Sequence, residues 1–581
     1  MNCRIARSFA PAVAGLVVAA AIGLTGCPQR IDVAPEEDAP PAGDAPDGVG
    51  TEPPSAEEST ATSRVRRSIP ARFAAQRTET RPTAERSRVA AKTSDQSQPL
   101  GGYGHPEAVD PVKANGPIFV NWPQPQLAIL FSGEQDGYLE PCGCAGLENQ
   151  KGGLSRRHTL IKQLREKGWP VVALDGGGQI KRIGPQAELK LRHAVESLVT
   201  LGYEVVGLGA SDLRAGLLGV AVNLDEEKNP LLSANTALID FDSGFTKRYR
   251  VIEAGGKRIG VTSVLGARQQ QGLQNVDTVI MVDPVQALRE VVPQLRAEKC
   301  DLLVLLSHAS PDETRQLARQ FPVFDFVLTA GGAEEPPRDT EHITGTKSRM
   351  LEVGHKGMYV SVVGLYENDG KTTFRYQRVP LDARFPDSPE MHQMMVNYQN
   401  ELRTIGLDGL GLTGTRHESG RHFVGTQKCA ECHTEAMAIF EQTPHSYATE
   451  RLVKLDPARH FDPECLSCHA TGWNPQKYFP YTSGFFGLEK TPHMTTNGCE
   501  NCHGPGSDHY AAETGQEEVD ERERDRRRAE MRLALVENEG NMQGQVFGKV
   551  VENCMQCHDL DNSPDFDFQH YWPEVEHYGK E

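Results

Sequence analysis

Eight of the chain's 13 cysteines fall into four Cys-x-x-Cys pairs, each followed at once by histidine: Cys429-Cys432-His433, Cys465-Cys468-His469, Cys499-Cys502-His503 and Cys554-Cys557-His558. Two thiols at this spacing reach the two vinyl groups of one haem and form thioethers; the next imidazole then turns to the iron as proximal ligand. Zinc ribbons set their cysteine pairs roughly 15–20 residues apart, and neither they nor thioredoxin-like pairs explain a histidine after every pair. The spacing therefore predicts four covalently bound haem c groups. Sixth ligands must come from elsewhere. Outside the motifs this stretch carries His422, His445, His460, His493, His509, His570 and His577, and spacing alone leaves the choice among them open.

The motifs sit in residues 422–581, a polar stretch with few sustained apolar periods. Such a chain is poor material for an aliphatic core, and covalently fixed porphyrins can replace one. The charged run Glu517–Glu530 predicts an exposed helix between the third and fourth motifs.

Over essentially all of residues 423–581, the order of segments resembles the tetrahaem cytochrome c family typified by the electron acceptor of hydroxylamine oxidoreductase. The matching pieces are Lys428–His433, Pro444-His445-Ser446-Tyr447-Ala448, Cys465–Gly472, Cys499–Gly506 with His509, and Cys554–His558 with His577. The resemblance implies distal ligands at His445, His509 and His577, and one five-coordinate haem, the second, on His469. His460 and His493 flank that motif and, with Met494 more weakly, are the residues able to close its open position.

Residues 123–385 alternate short apolar runs with amphipathic segments. Strands are expected at Gln126–Ser132, Val171–Leu174, Glu204–Leu208, Asp301–Ser307 and Phe324–Thr329, and helices at Arg156–Lys167, Ala187–Leu201 and Pro284–Ala297. Runs ending in Gly, Asp, Ser and His argue a layered α/β domain with a site at the strand ends. This order resembles the metallophosphoesterases of the 5′-nucleotidase type. Leu130–Leu139 lies at that family's Asp-x-His-Gly, and Gly152-Gly153-Leu154 with Arg156-Arg157 matches a common following segment. Asp175–Gly178 falls at its Asp-x-Gly-Asp, Gly209–Asp212 at its Gly-Asn-His-Glu, Leu306-Ser307-His308 at a ligand histidine, and Gly331–Glu334 at its Gly-His-x-His.

The departures bear on activity. Glu134 and Asp136 replace the first pair, Gly178 the metal-bridging aspartate, Ala210 and Ser211 the next Asn and His, and Gly332 and Glu334 the closing histidines. A two-metal phosphatase clamps its ions about 4 Å apart, which is hard without the bridging carboxylate. A degenerate scaffold is expected. Glu134, Asp136, Asp175, Asp212 and His308 remain candidates for one divalent cation. Cys142 and Cys144, one residue apart, are candidates for metal ligation or a reducible disulfide. Cys300, before a buried strand, reads as an inert core thiol.

The remaining segments place the protein. Arg4 and Arg7 precede the apolar run Phe9–Leu24, which ends in Leu24-Thr25-Gly26-Cys27; residues 1–27 read as a lipoprotein signal with Cys27 acylated. Residues 28–122, rich in Pro, Ala and charge, read as a disordered tether. Residues 386–421 read as a helical connector whose Met391, Met394, Met395 and Tyr398 pack rather than ligate. A net charge of −18 gives no support to nucleic-acid binding and suits a basic redox partner. The expected protein is multidomain: a signal, a tether, an α/β body and a mainly helical, loop-rich tetrahaem domain on the periplasmic side of a bacterial envelope. Electron carriage between envelope redox partners leads; a haem enzyme acting on a small nitrogen or oxygen species, and a metal-dependent phosphoesterase, are the alternatives.

Overall fold

A computed structural model describes residues 109–141, 150–533, 549–563 and 566–580; Cys27, Cys142 and Cys144 lie outside these. The run Leu127–Ser132 (β1) is wholly buried. Its side chains alternate between faces with period two, so Leu127, Ile129 and Phe131 enter one core and Ala128 and Leu130 another. β1 pairs in parallel with Val171–Asp175 (β2), which pairs in parallel with Tyr203–Val206 (β3).

The later strands are Thr236–Leu238 (β4), Tyr249–Ala254 (β5), Lys257–Leu265 (β6), Val279–Met281 (β7), Leu302–His308 (β8), Phe326–Thr329 (β9), Glu341–His342 (β10), Arg349–Glu352 (β11), Tyr359–Asn368 (β12) and Lys371–Pro380 (β13). One sheet runs β13-β12-β1-β2-β3 and the other β10-β11-β9-β8-β6-β5. The sheets share a core in which Phe131, Leu174 and Val363 meet Val261, Val304 and Leu306. Helices Leu154–Glu166 and Ala187–Leu201 cover the outer face of the first sheet; Pro284–Ala297 and Pro311–Gln320 cover that of the second. The body is therefore an α/β/β/α sandwich. The carboxyl ends of β1, β2, β3 and β8 lead into residues 133–136, 176–180, 207–212 and 308.

Two features differ from the expectations. Residues 109–122, counted with the tether, are folded: Asn115 donates to Asp382 (2.9 Å), and Phe119 and Trp122 pack against Trp169. Three aromatic rings can bury a short segment whose average composition is polar. The charged helix Glu521–Glu530 is mostly exposed, as expected, but one of its arginines is not. Arg527 is buried, donating to the Glu517 carboxylate and the Asp508 carbonyl, and Met531, just past the helix, anchors His503 through its carbonyl.

The connector Pro389–Gly409 packs Met391, Met395, Tyr398 and Leu402 into the core beneath helices Leu154–Glu166 and Ala187–Leu201. Beyond it lie short helices and turns around a small core of Leu412, Phe423, Leu452, Leu466, Trp473, Phe485 and Met494. Buried Glu500 organises this region by accepting the N–H groups of Val424, Gly425 and Gly506.

Candidate functional site

The four Cys-x-x-Cys-His motifs begin within, or at the end of, the helices Thr426–Ala430, Pro463–His469, Cys499–His503 and Lys549–Met555. One helical turn sets the two thiols of each pair on adjoining faces and brings the imidazole back beneath them. Thiols of different motifs also lie near one another: Cys429 by Cys499 and Cys468 by Cys557, with Cys502 within electrostatic reach of Cys554. The attachment points are thus contiguous in the order first, third, fourth, second.

The histidines pair across the chain. Ring centres lie 6.2 Å apart for His433 and His509, 6.0 Å for His445 and His558, and 5.7 Å for His503 and His577. Two imidazoles on opposite sides of one metal, at bonds of about 2 Å, stand roughly 6 Å apart centre to centre. The residues thus fit a haem iron at each of these pairs. Opposite His469, among the described residues, no second imidazole stands at this distance. His460 instead packs on Phe461, His493 is exposed, and Met494 is buried in the small core.

Three of the four motif rings are oriented from behind. His469 Nδ1 donates to the Ala448 carbonyl (3.0 Å) and His503 Nδ1 to that of Met531 (2.7 Å); His558 Nδ1 lies 3.1 Å from Ser563 Oγ. An anchored Nδ1 leaves Nε2 for the metal. Distal His577 is held likewise by the Val575 carbonyl (2.9 Å). Burial pushes His445 down to about 4, keeping it in the neutral form that ligates.

In the α/β body the candidate ligands separate into two groups. Asp175 accepts from Ser132 Oγ (2.5 Å), Gly177 N–H (2.8 Å) and Gln179 Nε2 (2.7 Å), with Arg157 at 3.8 Å. Asp212 accepts the N–H groups of Gly178 (2.9 Å), Ile180 (3.1 Å) and Gly209 (3.1 Å), and burial lifts its pKa to about 7 against those bonds. These two carboxylates tie the strand-end turns together.

Glu134 and Asp136 meet a residue the sequence reading missed. His355 Nδ1 lies 3.7 Å from Glu134 Oε2 and 3.5 Å from Asp136 Oδ2; His308 Nδ1 lies 3.5 Å from Glu134 Oε1 and 3.2 Å from the Gly176 carbonyl. One ligand atom from each of Glu134, Asp136 and His355 lies within 4.8 Å of the others, a spacing one cation can bridge. Burial and the carboxylates of Asp136, Asp212 and Asp175 hold Glu134 well above its ordinary range, a repulsion a cation would relieve. Burial lowers His308 to about 4, again the ligating form. His355 had one signal, its place between Gly354 and Gly357 after an apolar run, but it lies over 200 residues from Asp136 along the chain.

Fold and site define a two-part protein: an α/β body similar to those of 5′-nucleotidases, and a helical region whose c-type haem-attachment motifs support several haems. Residues 428–504 match the model of the family described as cytochrome c554 and c-prime. Cytochrome c-554 of Nitrosomonas europaea is 34% identical over 97 residues, 14% of this chain and 39% of that protein. The snake venom 5′-nucleotidase of Gloydius brevicauda is 27% identical over 258 residues, 42% of this chain and 43% of that one. A solved 5′-nucleotidase precursor from Thermus thermophilus superposes with a TM-score of 0.40 at 17% identity, covering 48% of this chain and 59% of the other. The chain spans 43–62% of the length of such 5′-nucleotidase and apyrase relatives.

Proposed function

We propose that this protein is a lipid-anchored tetrahaem cytochrome that carries electrons between redox partners in a bacterial envelope, facing the periplasm. The observation that carries the reading is the pairing of His433 with His509, His445 with His558 and His503 with His577 at a metal's span. Haem c supplies a one-electron iron couple when bound. The chain's own residues do the rest. The eight motif thiols would hold the porphyrins, and the four motif histidines with His445, His509 and His577 would ligate the irons. The carbonyls of Ala448 and Met531 and the hydroxyl of Ser563 orient three of the motif rings, those of His469, His503 and His558. Contiguous attachment points favour passage of electrons through the domain rather than isolated centres. Acylated Cys27 is the proposed anchor, with no role for nucleic acid.

The α/β body is proposed to have little phosphoesterase activity. Asp175 and Asp212 are committed to hydrogen bonds, and Gly178 offers no bridging carboxylate. One divalent cation on Glu134, Asp136 and His355, with His308 beside them, is part of the proposal. Haem quantification by pyridine haemochrome, with potentiometry of the purified protein, tests the main reading; clearly fewer than four haems per chain would overturn it.

A second reading is favoured by His469, which has no facing imidazole among the described residues. An open haem there would bind a small nitrogen or oxygen species and make the protein a haem redox enzyme. Carbon monoxide binding by the reduced protein distinguishes the two.

A further inference from the structure

The turn after the fourth motif is held from two sides. Within the turn, Asp559 Oδ1 accepts the Asn562 N–H (2.7 Å) and the Asp559 carbonyl accepts the Ser563 N–H (2.8 Å). These bonds place Ser563 Oγ 3.1 Å from His558 Nδ1. On its outer side the turn meets the α/β body. The Arg182 guanidinium lies 3.8 Å from the Asp559 carboxylate and 3.6 Å from that of Asp561, and reaches Asn562 Oδ1 at 3.4 Å. Lys181 pairs with Asp561 at 3.1 Å. Lys356 Nζ donates to the Leu560 carbonyl (3.0 Å), and Tyr138 Oη donates to the Asp561 carbonyl (2.8 Å).

Three cations and a phenol from one domain thus grip four consecutive residues of the other. Arg182 and Lys356 keep only 20% and 12% of their side-chain surface, so these pairs are less screened than open surface ion pairs. The grip also starts beside the carboxylate–histidine cluster, where the Lys356 N–H donates to Asp136 Oδ2 (3.1 Å).

A hydrogen bond to the far nitrogen of a metal-bound imidazole sets the ring's orientation and donor strength, and nearby charge shifts the potential of the metal it binds. We propose that Arg182, assisted by Lys181 and Lys356, is a cross-domain positioning residue for the fourth haem site: the α/β body fixes the Asp559–Ser563 turn and thereby His558. The inference rests on the reading that the fourth motif carries haem. It gives the α/β body a task that needs no hydrolysis. The Arg182 charge also acts on Cys468, so the second site feels it too.

The test uses full-length holoprotein. In Arg182→Gln the potential of the His558 haem is expected to fall, since Asp559 and Asp561 lose their nearest guanidinium. A tenfold change in the reduced-to-oxidised ratio, about 59 mV, is the size to look for. The first and third haems should keep their potentials, and Arg182→Lys should recover part of the shift. Ser563→Ala should alter the electron paramagnetic resonance signal of the same haem without changing charge. Lys181→Gln, at a half-exposed side chain, gives a milder shift of the same sign if Arg182→Gln folds poorly. Unchanged potentials and signals in variants that keep their haems overturn the clamp alone. A haem count in Cys554→Ser/Cys557→Ser equal to that of the wild type overturns the underlying reading, and the clamp with it.

Discussion

The carboxylate of Glu134 fills the space that a side chain on residue 178 would need: a Cβ on Gly178 would stand 3.0 Å from Glu134 Oε1. The backbone at Gly178 is also left-handed, with φ at +81°. Glutamate at 134 and glycine at 178 therefore go together, and the cleft is rebuilt around one carboxylate rather than left with a gap.

Gly178→Asp is accordingly expected to destabilise the body by about 1–2 kcal/mol from the left-handed backbone, plus the clash. It should not create hydrolysis of AMP, ADP or a generic phosphomonoester with manganese, zinc or calcium present. Thermal melts and phosphate release measure the two effects. Robust wild-type turnover, lost on His308→Ala, would instead promote the phosphoesterase reading.

Asp212 predicts a pH dependence of stability. Its folded pKa, about 7, lies above the ordinary aspartate value of 3.8 because the group is buried. A proton held more tightly by the folded than by the unfolded chain stabilises the fold. That contribution is complete below the ordinary aspartate range and is lost as pH rises through about 7, at most about 4 kcal/mol. Asp212→Asn keeps an oxygen acceptor and removes the titration. Its unfolding free energy should change less between pH 4 and 8 than that of the wild type; identical slopes would refute the assignment.

The histidine pairs predict spin states. His445→Ala, His509→Ala and His577→Ala should each convert one low-spin haem to high-spin: those on His558, His433 and His503 respectively. Reduced wild-type protein should bind carbon monoxide at about one haem in four. A wholly low-spin protein inert to carbon monoxide would remove the open site at His469 and the haem-enzyme reading with it.

Cation binding should depend on His355. The purified protein, loaded with zinc or manganese and desalted, should retain about one equivalent beyond haem iron, and His355→Ala should lose at least tenfold in affinity. Elemental analysis and calorimetry read this without any assay of activity. Equal retention by wild type and His355→Ala would exclude the cluster as a site.

Cys27→Ala is expected to release a soluble, haem-loaded form or to block processing. A native protein that fractionates as freely soluble, with no lipid mass at its N-terminus, would count against the anchor.

By itself the sequence determined what depends on neighbours along the chain. Cys-x-x-Cys-His is a local motif, and the helices Ala187–Leu201 and Pro284–Ala297 have the bounds their periodicity marks. The hairpins β5–β6 and β12–β13 were also within reach through their Gly255-Gly256 and Asp369-Gly370 turns, the left-handed pairs that two-residue hairpins favour. Tertiary structure decided what depends on distant residues meeting. No spacing shows that Asp175 and Asp212 spend their oxygens on turns, because their partners' positions follow from how the strands align. No local pattern brings His355 to Glu134 and Asp136, or pairs His445 with His558, over 100 residues along the chain, rather than with the nearer His433. Chain distance governs periodicity and attachment chemistry, whereas a coordination site is a set of atoms in space, and only packing specifies which atoms those are.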